Sequence, residues 1–227
     1  MPTTVTRPER ELYVRGERIE NVPFDLRIRR TGRVATFELS LWDYPRPDSI
    51  SVGDPFEARL GWADGPTMTA IDGLVTRTKT SITPEQSYKV RGVSTAAHRL
   101  RQRIDQEWEQ ATPERILDDV YRAIGVRTRA SPNHPPIDFT VQGPAYSELR
   151  RLPRRVAVDD NALVYDGHQA GTVDTVEQFD GQTFIGAVDP AVRIGARIED
   201  QRVATYAYES STRFGEHRMI GTTEPIE

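Results

Sequence analysis

The chain has 227 residues, and its 30 basic and 34 acidic side chains give a formal net charge of −4. This balance lacks the positive field that grips nucleic-acid phosphates, so general DNA binding is disfavoured. The absence of cysteine excludes disulfides, thiolate nucleophiles and cysteine-bound metals. No apolar run reaches the length of a membrane helix, and the first residues lack the plan of a signal peptide, so no membrane insertion is expected.

The first 95 residues have the alternation of a β-sheet. The first ten or so are polar and interrupted by proline, which predicts a flexible arm or a strand ordered by a neighbour. Apolar residues then occupy every second position at 24–28 and again at 35–41, which predicts a hairpin. The segment 43–48 holds two prolines and is predicted to be a loop.

A second hairpin is predicted from alternation at 56–62, a turn at 63–66 and a return strand at about 68–80 with a bulge at Gly73. A further strand is expected at 88–93. At least five strands joined by short connections favour an antiparallel sheet that curls towards a barrel.

Helical patterns follow this sheet. Residues 96–109 carry Leu100, Ile104 and Trp108 at four-residue spacing, which predicts one apolar stripe on a helix or on a broken helical arm. A second amphipathic helix is predicted between a capping Thr112, with proline next to it, and Gly125.

The second half predicts a smaller sheet. A proline-rich linker at 131–136 precedes a strand at 137–141 and a short helix at 146–155, with Ser147 as a possible cap and Pro153 as a kink. Short strands are expected at 162–165, 172–179, 184–188, 192–198, 203–210 and 218–222. The predicted organisation is a first tube-like domain at 1–95, a helical connector at 96–130 and a second, smaller β domain at 131–227.

Candidate chemical groups form no recognisable site. The four histidines (His98, His134, His168 and His217) lack metal-ligand spacing. The adjacent pairs Asp118-Asp119 and Asp159-Asp160 point in different directions on a helix or strand, unlike the convergent carboxylates of a glycosidase. Ser147 and Ser210 lie in no nucleophile motif, and no phosphate-binding glycine loop is present. Catalytic, metal and cofactor-binding residues are therefore predicted to be none.

Two further features could serve binding or could be ordinary parts of the fold. The cluster of Arg150, Arg151, Arg154 and Arg155 could contact an acidic partner or passing DNA, but a solvated helix face is the more common role of such a cluster. Trp42, Trp62 and Trp108 could stack on a ligand, but they are far apart in sequence, so packing in a core or a subunit interface is favoured.

Five segments together resemble the late control D family of phage tail hub proteins. They are VGDPFEARLGW (52–62), IDGLVT (71–76), YKVRGV (88–93), TPERILDDVYRAIGV (112–126) and YSELRRL (146–152). Each segment alone is degenerate, but their order is the order of the family. The resemblance covers roughly residues 50–167, and Pro153 departs from the family pattern in the last helix.

The resemblance implies a mainly β fold with some α-helix, in which two tube-like antiparallel β-barrel domains are linked by short helices. It implies a non-enzymatic homotrimer that joins the sixfold tail tube to the threefold tail tip, at the distal end of a virion tail assembled in the host cytoplasm. The implied partners are further copies of the chain, tail tube and distal tail proteins, the tape measure protein and a spike or fibre. DNA would pass only transiently, and a net negative charge would discourage its adhesion to the bore.

Two alternatives stay open at this point. One is a hexameric tail-tube or distal-tail ring protein, which shares the barrel but usually lacks paired helical segments such as those at 96–124. The other is a tail-associated cell-wall hydrolase, since such activities are associated with tail tips.

Overall fold

The computed structural model describes residues 7–31, 34–45, 49–65, 67–81, 87–130, 134–153, 156–159, 162–165, 171–189 and 192–226. The elements of the first part are β1 (Pro8–Val14), β2 (Glu17–Arg18), β3 (Phe24–Arg30), β4 (Ala35–Trp42), β5 (Pro55–Trp62), β6 (Met68–Ser81), β7 (Ser87–Ser94) and α1 (Thr95–Arg99). The middle part has β8 (Arg103–Ala111), α2 (Pro113–Ile124), β9 (Arg127–Ala130), β10 (Ile137–Pro144), α3 (Ala145–Leu149), β11 (Val156–Asp159) and β12 (Ala162–Tyr165). The last part has β13 (Val176–Phe179), β14 (Thr183–Ala187), β15 (Arg197–Ile198), β16 (Gln201–Ser211) and β17 (His217–Pro225).

One large sheet dominates the molecule. Its strands follow the order β13-β14-β17-β16-β3-β4-β7-β6-β5-β1-β2, and β15 pairs with β16 as the twelfth strand. All pairings in this sheet are antiparallel, and the sheet curls strongly into a half-barrel. The mainly β prediction is therefore confirmed, while the two complete barrels stay a prediction.

The hairpins predicted from alternation are confirmed. In β3 and β4 the buried residues recur at every second position, and Ile28 lies opposite Phe37. The polar partners Arg27 and Glu38 lie opposite each other on the other face. The apolar set therefore fixes which face of the hairpin enters the core.

Aromatic rings fill the concave core where the sheet curls. Phe37 and Phe56 are 1% exposed, and their rings stack with centroids 4.1 Å apart. The Phe37 ring lies against Gly92, where a Cβ atom would meet both the ring and the carbonyl oxygen of Leu74. Glycine at this position thus makes room for a large ring at a tightly curved part of the sheet.

The predicted bulge at Gly73 is wrong. The register shifts occur instead between Val75 and Arg77 of β6 against β7, and between Ala58 and Arg59 of β5 against β6. Gly73 has a packing role, because a Cβ atom there would meet the carbonyl oxygen of Val93.

A second hydrophobic cluster is built from residues between 96 and 165. It combines the pair β8–β10, the three-stranded sheet β11-β12-β9 and helix α2, which packs on β8 and β9. Helix α2 begins as predicted, because the Thr112 side chain accepts a hydrogen bond from the Arg115 amide. It ends at Gly125, whose φ of 69° is the left-handed conformation that favours glycine.

The helix predicted for 96–109 is wrong beyond α1. Residues 103–111 form β8, which pairs with β10. Ile104 and Trp108 still share one buried face, because a spacing of four is an even number and so also satisfies the period of a strand. The helix predicted at 146–155 is shorter than expected: α3 ends at Leu149, and its cap position is Pro144, not Ser147.

The ends of the chain are joined more closely than the sequence predicts. Residues 8–10 belong to β1, which pairs with β5 over its whole length, so the flexible arm is wrong there and the alternative of a strand ordered by a neighbour fits; residues 1–6 lie outside the described part. The separate smaller sheet is also wrong for 176–225, since β16 pairs with β3. The limits at 95 and 131 stay a prediction. None of the helices in the described ranges is long and apolar enough to cross a membrane.

Candidate assembly surface

The structure does not gather the histidines into one site. His98 is exposed on α1, His134 contacts Glu114 through Nδ1 at 2.6 Å, and His168 lies outside the described residues. His217 is buried in the large sheet. Within the described ranges no group of three or more potential metal ligands occurs.

The predicted carboxylates and serines are also separate. Asp118 accepts a hydrogen bond from Thr128, and Asp119 accepts one from the Trp108 indole at 2.9 Å. Neither the Asp159 side chain nor Asp160 belongs to the described part. Ser147 is exposed on α3, whereas Ser210 is 2% exposed. Asp118, Asp119 and Ser210 therefore form hydrogen bonds within the fold.

Half of the predicted arginine cluster is described. Arg150 and Arg151 are exposed at the end of α3, and Arg151 donates to Glu148 at 2.7 Å. Arg154 and Arg155 lie outside the described residues. The proposed contact of this cluster with an acidic partner stays a prediction.

The three tryptophans pack as the sequence favours, and two of them contact the β16–β17 hairpin. The Arg213 guanidinium lies 4.1 Å from the centre of the Trp42 ring. The Trp62 ring meets His217 edge-on, with centroids 4.7 Å apart. Trp108 packs in the second cluster near Phe139.

A buried row of hydrogen bonds joins β1 and β5 to this hairpin and closes one side of the half-barrel. Arg10 Nε donates to Ser210 Oγ at 2.6 Å, and Ser210 Oγ lies 3.0 Å from His217 Nδ1. His217 Nε2 lies 3.0 Å from the carbonyl oxygen of Gly61. Since that carbonyl only accepts, Nε2 carries the proton and Nδ1 accepts from the Ser210 hydroxyl. We call these four residues the seam.

The seam keeps His217 neutral. Burial away from water, together with the nearby positive charge of Arg10, lowers the pKa of His217 from 6.5 to about 4. The hydrogen bond to Gly61 opposes this shift but does not overcome it. Ser210 and His217 have the spacing of a nucleophile and a base, yet both are buried. Their arrangement therefore serves packing between distant strands.

The turn of the hairpin is held rigidly beside the seam. The backbone amides of Arg213 and Phe214 both donate to Ser211 Oγ, at 3.2 and 3.1 Å. Ser211 Oγ donates to Asp25 Oδ1 at 2.5 Å, and Trp42 Nε1 donates to Asp25 Oδ2 at 2.8 Å. The turn is thus fixed to β3 and β4 before any partner arrives.

This rigid turn presents an aromatic side chain to solvent. Phe214 is 70% exposed, and the Arg213 guanidinium lies 5.4 Å from the centre of its ring. A large apolar side chain that is exposed on an ordered turn is typical of a protein contact. Because the backbone of the turn is already ordered, binding a partner costs less conformational entropy.

Grooves surround the segment between β1 and β3, next to the same turn. One of them has a volume of about 660 Å³, and its lining includes Arg10, Arg18 and Arg213, with Glu20 as the acidic side chain. Ile19, Val22 and Phe24 contribute apolar surface. A second groove of about 480 Å³ runs along β1 and shares Arg10 and Arg18. We call the larger groove together with Phe214 the arginine groove.

The other end of the large sheet carries acidic side chains. Strand β13 pairs only with β14 among the described strands. Residues 171–189 contain four acidic side chains and no lysine or arginine. Asp174, Glu177 and Asp180 are exposed, and Val176 and Phe179 are half-buried. We call residues 174–180 the acidic edge.

Sequence reasoning missed the main residues of this surface. Arg10 fell in the predicted arm, and Phe214 was not singled out. The sequence feature that could have indicated Phe214 is the segment Thr-Arg-Phe-Gly at 212–215, a turn with an apolar residue at its tip. The partners of that turn, Asp25 and Trp42, are separated from it by more than 150 residues and have no local signature.

Solved structures of the same fold are tail proteins and a secretion-system component. The 43 kDa tail protein of prophage MuSo2 from Shewanella oneidensis matches with a TM-score of 0.69 at 12% identity, covering 96% of each chain. A tail protein from Neisseria meningitidis MC58 matches with a TM-score of 0.66 at 11% identity, covering 96% of this chain and 97% of the other.

The E. coli c3393 protein matches with a TM-score of 0.59 at 15% identity, covering 95% of this chain and 77% of its own. It is a component of the type VI secretion system with structural similarity to the T4 bacteriophage tail proteins gp27 and gp5. No family model matches the chain, and no curated protein matches it. The likeness is therefore one of fold.

Proposed function

We propose that this chain is a structural tail hub protein of a tailed virus or a related injection machine. Its copies would form a homotrimeric ring between the sixfold tail tube and the threefold tail tip, around a channel for DNA and the tape measure. The observation that carries the proposal is the fold likeness to the MuSo2 tail protein, which spans 96% of both chains. A likeness over whole chains indicates a shared architecture rather than one shared module.

The order of the five segments described above adds support from the sequence, since it resembles the late control D hub family. The proposed partners are the tail tube and distal tail proteins, the tape measure protein and a spike or fibre. The proposed location is the distal end of the tail.

The proposed role is architectural, without catalysis. The pair with the spacing of a nucleophile and a base, Ser210 and His217, is 2% and 8% exposed, which leaves no access for a substrate. A cell-wall digestion assay with the purified chain tests this point. Turnover that is abolished by a single carboxylate substitution would contradict the architectural role and support the hydrolase.

A hexameric ring protein of the tail tube or distal tail is the second candidate. The observation that favours it is that one large curled sheet, not two, dominates each chain. A sixfold ring needs one such sheet from each copy, whereas a threefold ring of six barrels needs two.

Immunogold labelling of purified particles that contain the chain tests the proposed location. We expect label at one end of the tail only. Label along the whole tail would support the tube protein, and particles without label would overturn both structural roles.

A further inference from the structure

We propose that the acidic edge of one copy seats in the arginine groove of a second copy, so that copies join head to tail. The proposal rests on the ring-forming role above and names the two surfaces that would make the ring contact. Because the two surfaces differ, each copy can bind one neighbour through its groove and a second neighbour through its acidic edge. Such contacts close into a ring when the rotation between successive copies adds up to a full turn.

The charges of the two surfaces are complementary. Arg10, Arg18 and Arg213 line the groove against one acidic residue, Glu20. The acidic edge carries Asp174, Glu177 and Asp180, and no basic residue occurs between 171 and 189. Hydrogen bonding to Thr183 and to the backbone lowers the pKa of Asp180 to about 2, so its charge persists in mildly acidic solution. Such a pattern steers encounter and fixes the orientation of the partners.

Apolar groups lie beside the charges on both surfaces. Phe214, which follows the groove-lining Arg213 in the chain, is 70% exposed, and Phe179 on the acidic edge is half-buried. Contact between these rings would remove the most exposed large apolar side chain of the described residues from water. The rigid turn that carries Phe214 lowers the entropy lost on binding.

The position of the two surfaces also fits this contact. The acidic edge includes β13, at one end of the strand order, and the arginine groove lies beside β1 and β2, at the other end. A head-to-tail contact would therefore cover the outer edge of β13, which pairs only with β14 among the described strands, and an uncovered edge strand is the part of a sheet most prone to unwanted pairing.

A charge-reversal cycle tests the contact. Arg18→Glu and Glu177→Arg should each weaken self-association about tenfold in sedimentation velocity, and the double variant should restore it to within about threefold. Arg18 is chosen because its ion pair with Glu11, at 3.6 Å, is exposed and contributes little to folding. Glu107→Arg, at an exposed position of β8, is the matched control and should leave self-association unchanged.

Introduced cysteines give an independent readout, since the chain has none of its own. Glu20→Cys together with Gln178→Cys should yield a ladder of disulfide-linked species under mild oxidation, while each single variant should stop at a dimer. Thermal melting shows that every variant is folded. A wild-type chain that stays monomeric at all concentrations, together with a double-cysteine variant that gives no ladder, would overturn the proposal. Folded single reversals that associate like the wild type would also overturn it. Immunogold label at the tail end together with either result would leave the proposed function standing.

Discussion

Ser210 and His217 lie 3.0 Å apart between Oγ and Nδ1, and together they connect Arg10 on β1 to the hairpin β16–β17. Arg10 and Ser210 are 200 positions apart in the chain. This contact makes the first and last strands of the described chain part of one closed side of the half-barrel. It also holds His217 in a buried position beside Arg10, where protonation of the imidazole is unfavourable.

Acid should weaken the fold through His217. Its pKa is about 4 in the folded chain against 6.5 as the ordinary value, so the unfolded state binds the proton first. The stabilising contribution is fully present above pH 6.5 and is lost as the pH falls from 6.5 to about 4. The shift corresponds to roughly 3 kcal/mol. Urea unfolding at a series of pH values measures it.

The matched controls for this prediction are two single variants. His217→Gln should be less stable than the wild type at pH 7.5 and should lose most of the pH dependence between 6.5 and 4.5. His98→Gln, at an exposed position, should keep the wild-type dependence. An unchanged slope in His217→Gln would show that other groups cause the acid sensitivity.

Gly92→Ala should destabilise the large sheet. The new methyl group would meet the Phe37 ring and the Leu74 carbonyl oxygen, and neither can move without disturbing the core. Overpacking of this kind costs about 1–3 kcal/mol, measured by urea denaturation. Gly65→Ala is the control, since its methyl group would have only the Trp62 oxygen near it, at 3.8 Å. Equal stability of the two variants would contradict the packing described for Phe37.

Thr112→Ala should lower stability by about 1 kcal/mol, because the side chain caps α2 by accepting from the Arg115 amide. Thr112→Ser retains the hydroxyl and should recover most of the loss. Chemical denaturation of both variants measures the difference. If serine and alanine were equally destabilising, the methyl group of Thr112 and not its hydroxyl would be the stabilising part.

Phe214→Ser should separate assembly from folding. The side chain is 70% exposed, so its loss should change the free energy of unfolding by no more than about 0.5 kcal/mol. Self-association should weaken in sedimentation velocity, because the proposed contact loses the exposed ring beside the groove. Phe184→Ala, at a position that is 1% exposed, should instead cost about 3–5 kcal/mol. A Phe214→Ser variant that unfolds like Phe184→Ala would show a role in the core.

Local patterns in the sequence predict much of this fold. Alternation at 24–28 and 35–41 identifies β3 and β4 because burial of one face imposes a period of two. Thr112 and Gly125 mark the ends of α2 because both carry the chemistry of helix ends. The helix predicted from Leu100, Ile104 and Trp108 is wrong beyond α1, since a spacing of four residues is compatible with a helix and with a strand.

The candidate surface depends on contacts that local patterns do not contain. The pairing of β16 with β3 and the hydrogen bond from Arg10 to Ser210 join residues from opposite ends of the chain. The exposure of Phe214 follows from Ser211, Asp25 and Trp42 holding its turn, which only the folded chain brings together. Local patterns therefore predict the mainly β class of the fold but not the residues of the surface.

Cryo-electron microscopy of the intact particle, with the chain built into the density, tests the central proposal most directly. We expect three copies in a ring at the distal end of the tail, each contributing its half-barrel to the wall of the channel. Six copies in each ring would contradict the trimeric hub and support the tail-tube or distal-tail ring protein. Absence of the chain from the particle would contradict a structural role in the tail.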